Sequence, residues 1–456
     1  MVIVTVLREP DSSFPYRIEQ WPAADDVRED QTVPERAKGW LRAVSMGFHG
    51  RELTDEAVAK YVRVDAADDA ICCGVYPETI AERGLPAEWP VGTFGSMKGT
   101  LNVGATGTVD ADNGRFLDAL MITAVTVRPS HRRRGILSQL VRANLEQAAA
   151  EGLPVAALTA SEGAIYGRFG FGDATRERTI EIDTRPGFAL RREPERRVEV
   201  IPVERAGDVQ AELFEVFHRS TLGSLTRPES YKPVVSGQWG SYYPEADPEV
   251  RAAVHYGADG GIDGYVSYKA VRDGDKLTAH KVVDLLALTP EAYLGLWAFL
   301  GSLDLSPKVT WSGAPVADPL FWAVNDQRRY RVVDEGDLLW LRPLDVPAML
   351  EARQYHREGT LRLGVRDDLG FAEGDFELRV EPGAEPGTLQ GRVRRLEAGE
   401  EPEVVLPVAA LGSLYLGDAS ARLLREAGRV ELTEEQAGRF DKLFTVPQLP
   451  DCRTNF

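Results

Sequence analysis

The stretch Val125-Thr126-Val127-Arg128-Pro129-Ser130-His131-Arg132-Arg133-Arg134-Gly135-Ile136-Leu137 constrains this chain more than any other. The largely apolar run Leu117 to Val127 reads as a buried strand, and Pro129 stops it. From Ile136 to Leu145 the apolar residues fall at helical spacing. Strand, glycine-bearing turn and helix start together make an anion site, because the first turn of a helix has unpaired N–H groups and its dipole favours negative charge. Gly135 lets the backbone approach a phosphate closely, and Arg132, Arg133 and Arg134 add charge for further phosphates. A solvated basic helix start is the plainer alternative, since charge runs are usually surface.

The cluster stands out against an acidic chain. Lys+Arg 53 against Asp+Glu 71 gives a net charge of −18, which argues against nucleic acid and for cationic partners. At about 100–200 residues per domain, 456 residues predict two to four domains. Of the 3 cysteines, Cys72 and Cys73 are adjacent, which suits neither a disulfide framework nor a zinc site, and no metal is expected. The N-terminus lacks the pattern of a signal peptide and no run of about 18 apolar residues occurs, so a cytoplasmic protein without a membrane partner is expected.

Residues 1–33 are polar and proline-bearing and are expected to be a partly mobile extension, with a first strand at Tyr16 to Trp21. Helices are predicted over Glu35 to Phe48 and from Asp55 through Tyr61, the second capped by Thr54. Ile71 to Val75 and Val91 to Val103 read as strands. After the helix that follows the arginines, Val155 to Ala160 is a short buried strand, leading into Ser161-Glu162-Gly163-Ala164-Ile165-Tyr166-Gly167-Arg168-Phe169-Gly170. Residues 184–197 read as a charged linker. Then the order strand, proline, helix, strand returns, as Lys276 to Leu288, Thr289-Pro290-Glu291, a helix through Leu303, and Lys308 to Trp311. Pro290-Glu291 takes the place of the arginine turn, and a glutamate there would repel a pyrophosphate. Asp345 to Arg353 opens a third unit of short strands and helices, including Leu411-Gly412-Ser413-Leu414-Tyr415-Leu416-Gly417.

Arg132-Arg133-Arg134-Gly135-Ile136-Leu137 resembles the coenzyme A loop Arg/Gln-x-x-Gly-x-Gly/Ala of the GNAT N-acetyltransferases, with Leu137 replacing the last small residue. His131–Gly135 taken with Ser161–Gly170 resembles, more specifically, the enhanced intracellular survival acetyltransferases, and the likeness covers about residues 35–456. This resemblance implies an α/β (α+β) chain: tandem GNAT domains followed by a sterol-carrier-protein-like domain. The expected boundaries are an extension at 1–33, a catalytic domain at 34–185, a degenerate copy at 186–342 that does not bind coenzyme A, and the sterol-carrier-like domain at 343–456. Acetyl-CoA is the implied co-substrate. The implied reaction is acetyl transfer to a primary amine, on a polyamine, an aminoglycoside-like molecule or a lysine, by a homohexamer. A lipid carrier with an idle acetyltransferase fold, or a transferase of a bulkier acyl group, are the competing readings.

By the same resemblance, backbone groups of Val125 and Val127 pair with the pantetheine arm, and the turn through Arg132–Leu137 holds the pyrophosphate. Tyr166 is the expected general acid, since a phenol of pKa about 10 is protonated at neutral pH and can pass its proton to a thiolate. Ser161 either hydrogen-bonds the coenzyme or caps the short helix after it. Trp40 and Phe48 are aromatic candidates for the wall of the amine pocket, while Asn455 and Gly50 stand where polyamine-binding relatives carry acids. The terminal carboxylate of Phe456 is expected to help deprotonate the amine, with burial raising it from an ordinary pKa of about 3.3–3.7. His49 is the alternative base.

Overall fold

The computed structural model describes every residue except 1–3, 29–31, 81, 105–113, 196, 241–242 and 385–386. From the N-terminus the chain forms β1 (Thr5–Arg8), β2 (Tyr16–Pro22), α1 (Glu35–Gly47), α2 (Asp55–Ala67), β3 (Ile71–Pro77), β4 (Gly92–Gly104) and β5 (Arg115–Val127). Then follow α3 (Ile136–Ala150), β6 (Val155–Thr159), the one-turn helix α4 (Gly163–Tyr166) and β7 (Gly172–Asp173). The near-continuous apolar run of β5 has a direct cause: the strand is buried on both faces. Ala119 and Met121 join a core with Trp21, Trp40 and Leu41, whereas Leu120 and Ile122 join the opposite core with Phe94, Leu140 and Leu145. Thus α1 and α2 cover one face of the sheet and α3 the other.

Thr5 to Pro22 are not the mobile extension expected of residues 1–33; residues 1–3 and 29–31 lie outside the described residues. β1 pairs with β2, and β2 pairs along its whole length with β3. The apolar residues of Phe14-Pro15-Tyr16-Arg17-Ile18 and Trp21 are what hold it there: Phe14, Tyr16, Ile18 and Trp21 are all buried.

Beyond β7 the chain crosses over. β8 (Arg176–Asp183) precedes β9 (Val198–Ile201), α5 (Ala206–Ser220), α6 (Tyr231–Val235), β10 (Val250–Tyr256), β11 (Ile262–Asp273), β12 (Lys276–Ala287), α7 (Pro290–Gly301), β13 (Lys308–Pro315), α8 (Leu320–Ala323), β14 (Tyr330–Asp337) and β15 (Leu339–Pro343). The second sheet is 7-stranded, in the order β14-β8-β13-β12-β11-β10-β9. The first is 8-stranded, in the order β1-β2-β3-β4-β5-β6-β15-β7. Hence β8, read from sequence as part of the first unit, lies between two strands of the second. In return β15 lies between β6 and β7, with Leu341 opposite both Ala157 and Gly172. The two units exchange strands.

The third unit holds α9 (Val346–Ala352), β16 (Gly359–Arg366), β17 (Gly374–Pro382), β18 (Leu389–Arg395), β19 (Val404–Pro407), α10 (Val408–Leu414), α11 (Ala421–Glu426) and α12 (Glu434–Phe444). Its 4-stranded sheet runs β18-β17-β16-β19 over a core that includes Leu361, Leu363, Phe376 and Phe440. α10 lies directly on β15: a β-carbon added to Gly412 would stand 2.4 Å from the Leu341 carbonyl oxygen, so only glycine permits that approach. The last residues return to the first two units. The Asp451 N–H donates to the Leu222 carbonyl at 2.8 Å, and the Thr454 hydroxyl donates to the Leu225 carbonyl at 2.8 Å. Among the described residues, no helix is long and apolar enough to cross a membrane.

Candidate active site

The site begins where two parallel strands part. β5 and β6 pair from Ala119 opposite Val155 to Ile122 opposite Leu158. Then β6 stops at Thr159 while β5 runs on to Val127. In that last stretch β5 bulges. Thr93 faces Thr126 and Gly95 faces Thr123, so Ala124 and Val125 together oppose Phe94. Ala124 takes a left-handed φ of 51°, a conformation that costs an alanine energy. The Thr93 hydroxyl secures it, donating to the Ala124 carbonyl at 2.8 Å. Such a bulge re-aims backbone groups, here beside the mouth of the arginine turn.

A groove of about 500 Å³ follows, walled by Val125 and Val127 on one side and by Ser161, Ile165 and Tyr166 on the other. The turn closes its end. Arg132, Arg133, Gly135, Ile136 and Leu137 all line it. Ile136 is buried, so its contribution is main-chain. Gly135 has φ 78° and nothing lies within 4 Å of the place a β-carbon would occupy, which leaves an open cradle at the start of α3. No side chain caps that helix, so its first N–H groups are available to an anion. Arg134 departs from the expectation. Its guanidinium donates to the Tyr16 hydroxyl and to the Ser130 carbonyl, each at 3.2 Å, and it does not line the groove. An open cradle, an uncapped helix start and two exposed arginines fit the pyrophosphate of a coenzyme A.

Tyr166 ends α4 with its ring buried, set edge-on to Phe171 at 6.0 Å. Its hydroxyl has no hydrogen-bond partner among the described residues, and it faces the groove. Burial, and then the charge of Glu162, raise the phenol above its ordinary pKa. It therefore stays protonated at neutral pH. Ser161 is exposed at the groove and caps nothing, since the cap position of α4 is Glu162 and no side chain bonds there. His49, exposed and at φ 59°, edges the same groove. Burial, with help from Arg134 and Arg128, pushes the imidazole of His131 below its usual pKa.

One further cavity adjoins the groove and a second adjoins that one. The larger, about 640 Å³, lies between α1, α2 and the sheet. Trp40 and Phe48 both line it; Trp40 is fixed by its indole N–H on the Cys73 carbonyl at 2.8 Å, and Phe48, 52% exposed, is shared with the groove. Tyr61, Asp65 and Tyr243 are also in its wall. A second cavity of about 470 Å³ shares Tyr61 and Tyr243 and takes in Tyr231, Asp284, Arg453, Asn455 and Phe456. There the Thr159 hydroxyl donates to the Phe456 main-chain oxygen at 2.8 Å, and the Tyr231 hydroxyl accepts the Asn455 N–H at 2.8 Å. Thr159 ends the strand that leads into the Tyr166 turn, so Phe456 is tied to the segment that carries Tyr166, though the two line different cavities.

Residues not singled out from sequence are Asp65, Thr159, Tyr231 and Tyr243. Asp65 had a readable signal, because Tyr61 and Asp65 share a helix face. Burial, and then Asp68, push its carboxyl up to about 7. Tyr231 and Tyr243 come from the second unit, and only its packing brings them here.

Residues 108–174 and 223–342 each match a family model described as an acetyltransferase (GNAT) domain, and residues 346–453 match one described as a sterol carrier protein domain. An uncharacterized N-acetyltransferase of Streptomyces griseus is 34% identical over 440 residues, covering 94% of this chain and 98% of its own. N-acetyltransferase Eis of Mycobacterium tuberculosis is 34% identical over 324 residues, covering 69% of this chain and 75% of its own. The crystal structure of Eis1 from Mycobacterium abscessus has a TM-score of 0.73 and 26% identity, covering 93% of this chain and 99% of that one. The split sheet, the arginine turn and these matches define an N-acetyltransferase of the GNAT class. Within that class the chain belongs to the Eis family of acetyltransferases, with two GNAT domains followed by a sterol-carrier-type domain.

Proposed function

We propose that this protein acetylates a primary amine of a small molecule or a lysine, with acetyl-coenzyme A as donor and one coenzyme bound per chain. The observation that carries the reading is that the open cradle at Gly135, the end of β5 and Tyr166 all line one groove. Acetyl-coenzyme A, when bound, supplies the thioester. Arg132, Arg133 and the N–H groups opening α3 hold the pyrophosphate. Main-chain groups of Val125 and Val127 pair with the pantetheine arm as a further strand would. The carboxylate of Phe456 takes a proton from the acceptor ammonium, and Tyr166 gives its phenolic proton to the departing sulfur.

The second unit is silent in this reading. α7 starts with Thr289 as its cap, and Glu291 in the first turn is paired with Arg192 and accepts the Glu195 N–H at 2.8 Å. A carboxylate and a folded-back linker fill the place of a phosphate. A screen of amine acceptors that reads free thiol release tests the activity, and calorimetry with acetyl-coenzyme A tests the stoichiometry. No release with any amine, or two equivalent sites per chain, overturns the respective part.

A further inference from the structure

α2 carries three carboxylates, and two of them are matched. Asp55 meets Lys38 at 2.9 Å and Arg42 at 2.7 Å, and Glu56 meets Lys60 at 3.0 Å. Asp65 has no hydrogen bond or ion pair to its side chain among the described residues. It is half-buried in the wall of the 640 Å³ cavity. The cation nearest in that wall, Arg51, is engaged elsewhere: it pairs with Glu245 at 2.6 Å and lies 3.3 Å over the Tyr243 ring. A carboxylate withdrawn from water without a partner is costly, and native structures rarely leave one so.

Most of the rest of the cavity is apolar, with Ser45, Ser96, Thr123 and the hydroxyls of Tyr61 and Tyr243 as its other neutral polar groups. Trp40, Leu41, Val44, Leu53 and Met97 form its walls, and Cys72 and Ser96 form part of its floor. At one side it reaches Thr123, Ala124 and Phe48, beside the groove where the amine must react. At the other it reaches Asp65, close enough to Cys72 for the carboxylate to raise that thiol's pKa. Cys72 pairs with Gly95 and Gly95 with Thr123. Two strand spacings therefore separate the ends, roughly 10 Å.

We infer that Asp65 is the specificity-determining residue of the amine cavity, holding the second ammonium of a diamine whose apolar body fills the space between Asp65 and the bulge at Ala124. The inference rests on the proposed amine transfer and narrows its acceptor to a linear, apolar-bodied diamine. A monoamine of the same length places a methyl group against a carboxylate. A polyhydroxylated polyamine places hydroxyls against Trp40, Leu41 and Leu53. The apolar diamine satisfies both wall and carboxylate. The unliganded carboxyl, at about 7, ionises at little cost when a cation arrives beside it.

The test compares hexylamine with 1,6-diaminohexane on the full chain. For the natural sequence, kcat/KM is expected to favour the diamine by about tenfold or more, the worth of a charge-assisted contact. Asp65→Asn keeps shape and volume and removes the charge, and should bring the ratio of the two amines close to one. Calorimetry of each amine against the coenzyme A complex gives the same comparison without turnover. A ratio that survives in Asp65→Asn, or a natural sequence that binds both amines equally, overturns the inference. If neither amine is acetylated, the calorimetric comparison decides the role of Asp65 by itself, and the wider acceptor screen decides the proposed function separately.

Discussion

Arg342 and Asp367 form a two-pronged ion pair, at 2.7 and 2.8 Å, with both side chains removed from solvent. Arg342 belongs to β15, and its Nε also donates to the Phe169 carbonyl at 2.6 Å. One side chain thereby ties the third unit to the turn that carries Tyr166. Removing only the acid leaves a buried cation unmatched. Asp367→Ala is expected to destabilise the chain by about 3–5 kcal/mol, read from denaturant unfolding. A loss under about 1 kcal/mol would show the pair to be dispensable.

Gly135→Asp puts a carboxylate and a strained left-handed residue into the cradle. Affinity for acetyl-coenzyme A should fall about tenfold or more by calorimetry. Among single alanine variants, Arg132→Ala and Arg133→Ala should weaken binding most. Arg134→Ala should weaken it least, because that guanidinium is already committed to Tyr16 and Ser130. An equal loss at all three would refute this ordering.

Tyr166→Phe removes the phenolic proton and little else. Turnover is expected to drop by about 10²–10⁴-fold with coenzyme affinity kept. Since burial raises the phenol's pKa, activity should not decline with pH at or below its ordinary value of 10.0 through loss of this proton. Turnover within a few-fold of the natural sequence would return Tyr166 to a packing role.

A short extension after Phe456 displaces the oxygen that Thr159 holds at 2.8 Å. It should cut turnover sharply while leaving coenzyme binding intact. If the extended protein works as fast as the unextended one, the base is another group, with His49 the nearest alternative at the groove.

Asp65 sets a pH dependence of stability. Its folded-state carboxyl is raised from 3.8 to about 7 by burial first and Asp68 second; Tyr61 on the same helix and Cys72 on β3 face it as neutral groups. A raised carboxyl means that the folded state holds its proton where the unfolded state has lost it. Stability therefore falls as pH rises from about 4 to about 7, and the penalty is complete above that. Asp65→Asn removes the penalty. Its melting temperature relative to the natural sequence should climb by about 2–4 °C across that window and then level off. A constant difference from pH 4 to 8 would place Asp65 in water.

The arginine turn and the groove end it closes were legible because they are local. A strand, a turn and a helix start lie within one short stretch, and each has its own pattern in the residues around Gly135. Tyr166 was singled out by the resemblance that Ser161–Gly170 carries, and the structure puts it in the wall of the same groove. The amine side was not legible, because Asp65, Tyr231, Tyr243 and Thr159 come together only through packing of separate units. Trp40 and Phe48 were named as pocket walls through the resemblance, and both line the 640 Å³ cavity. The strand exchange left no trace in composition: the expected bounds put Arg176–Asp183 in the first unit and nearly all of Leu339–Pro343 in the second, and nothing local marks either as belonging to the other sheet. β2 was legible as a first strand at Tyr16–Trp21, but β1 was missed, because polar flanks and prolines hid its place at the edge of the sheet.

The exchange of β8 and β15 has a consequence for how this protein is born. When residue 183 leaves the ribosome, β6 and β7 still lack the strand that belongs between them. That strand ends at Pro343. At the usual pace of synthesis the wait is roughly 10–30 s, far longer than the time a small domain takes to fold. Throughout it the nascent sheet shows an open seam beside β6, and β8 has neither of its partners until β13 is made, ending at Pro315. The acetyltransferase site is therefore completed late, in a single step shared by both GNAT units. A fragment cut at the apparent boundary near residue 185 should aggregate through that seam instead of working as a smaller enzyme.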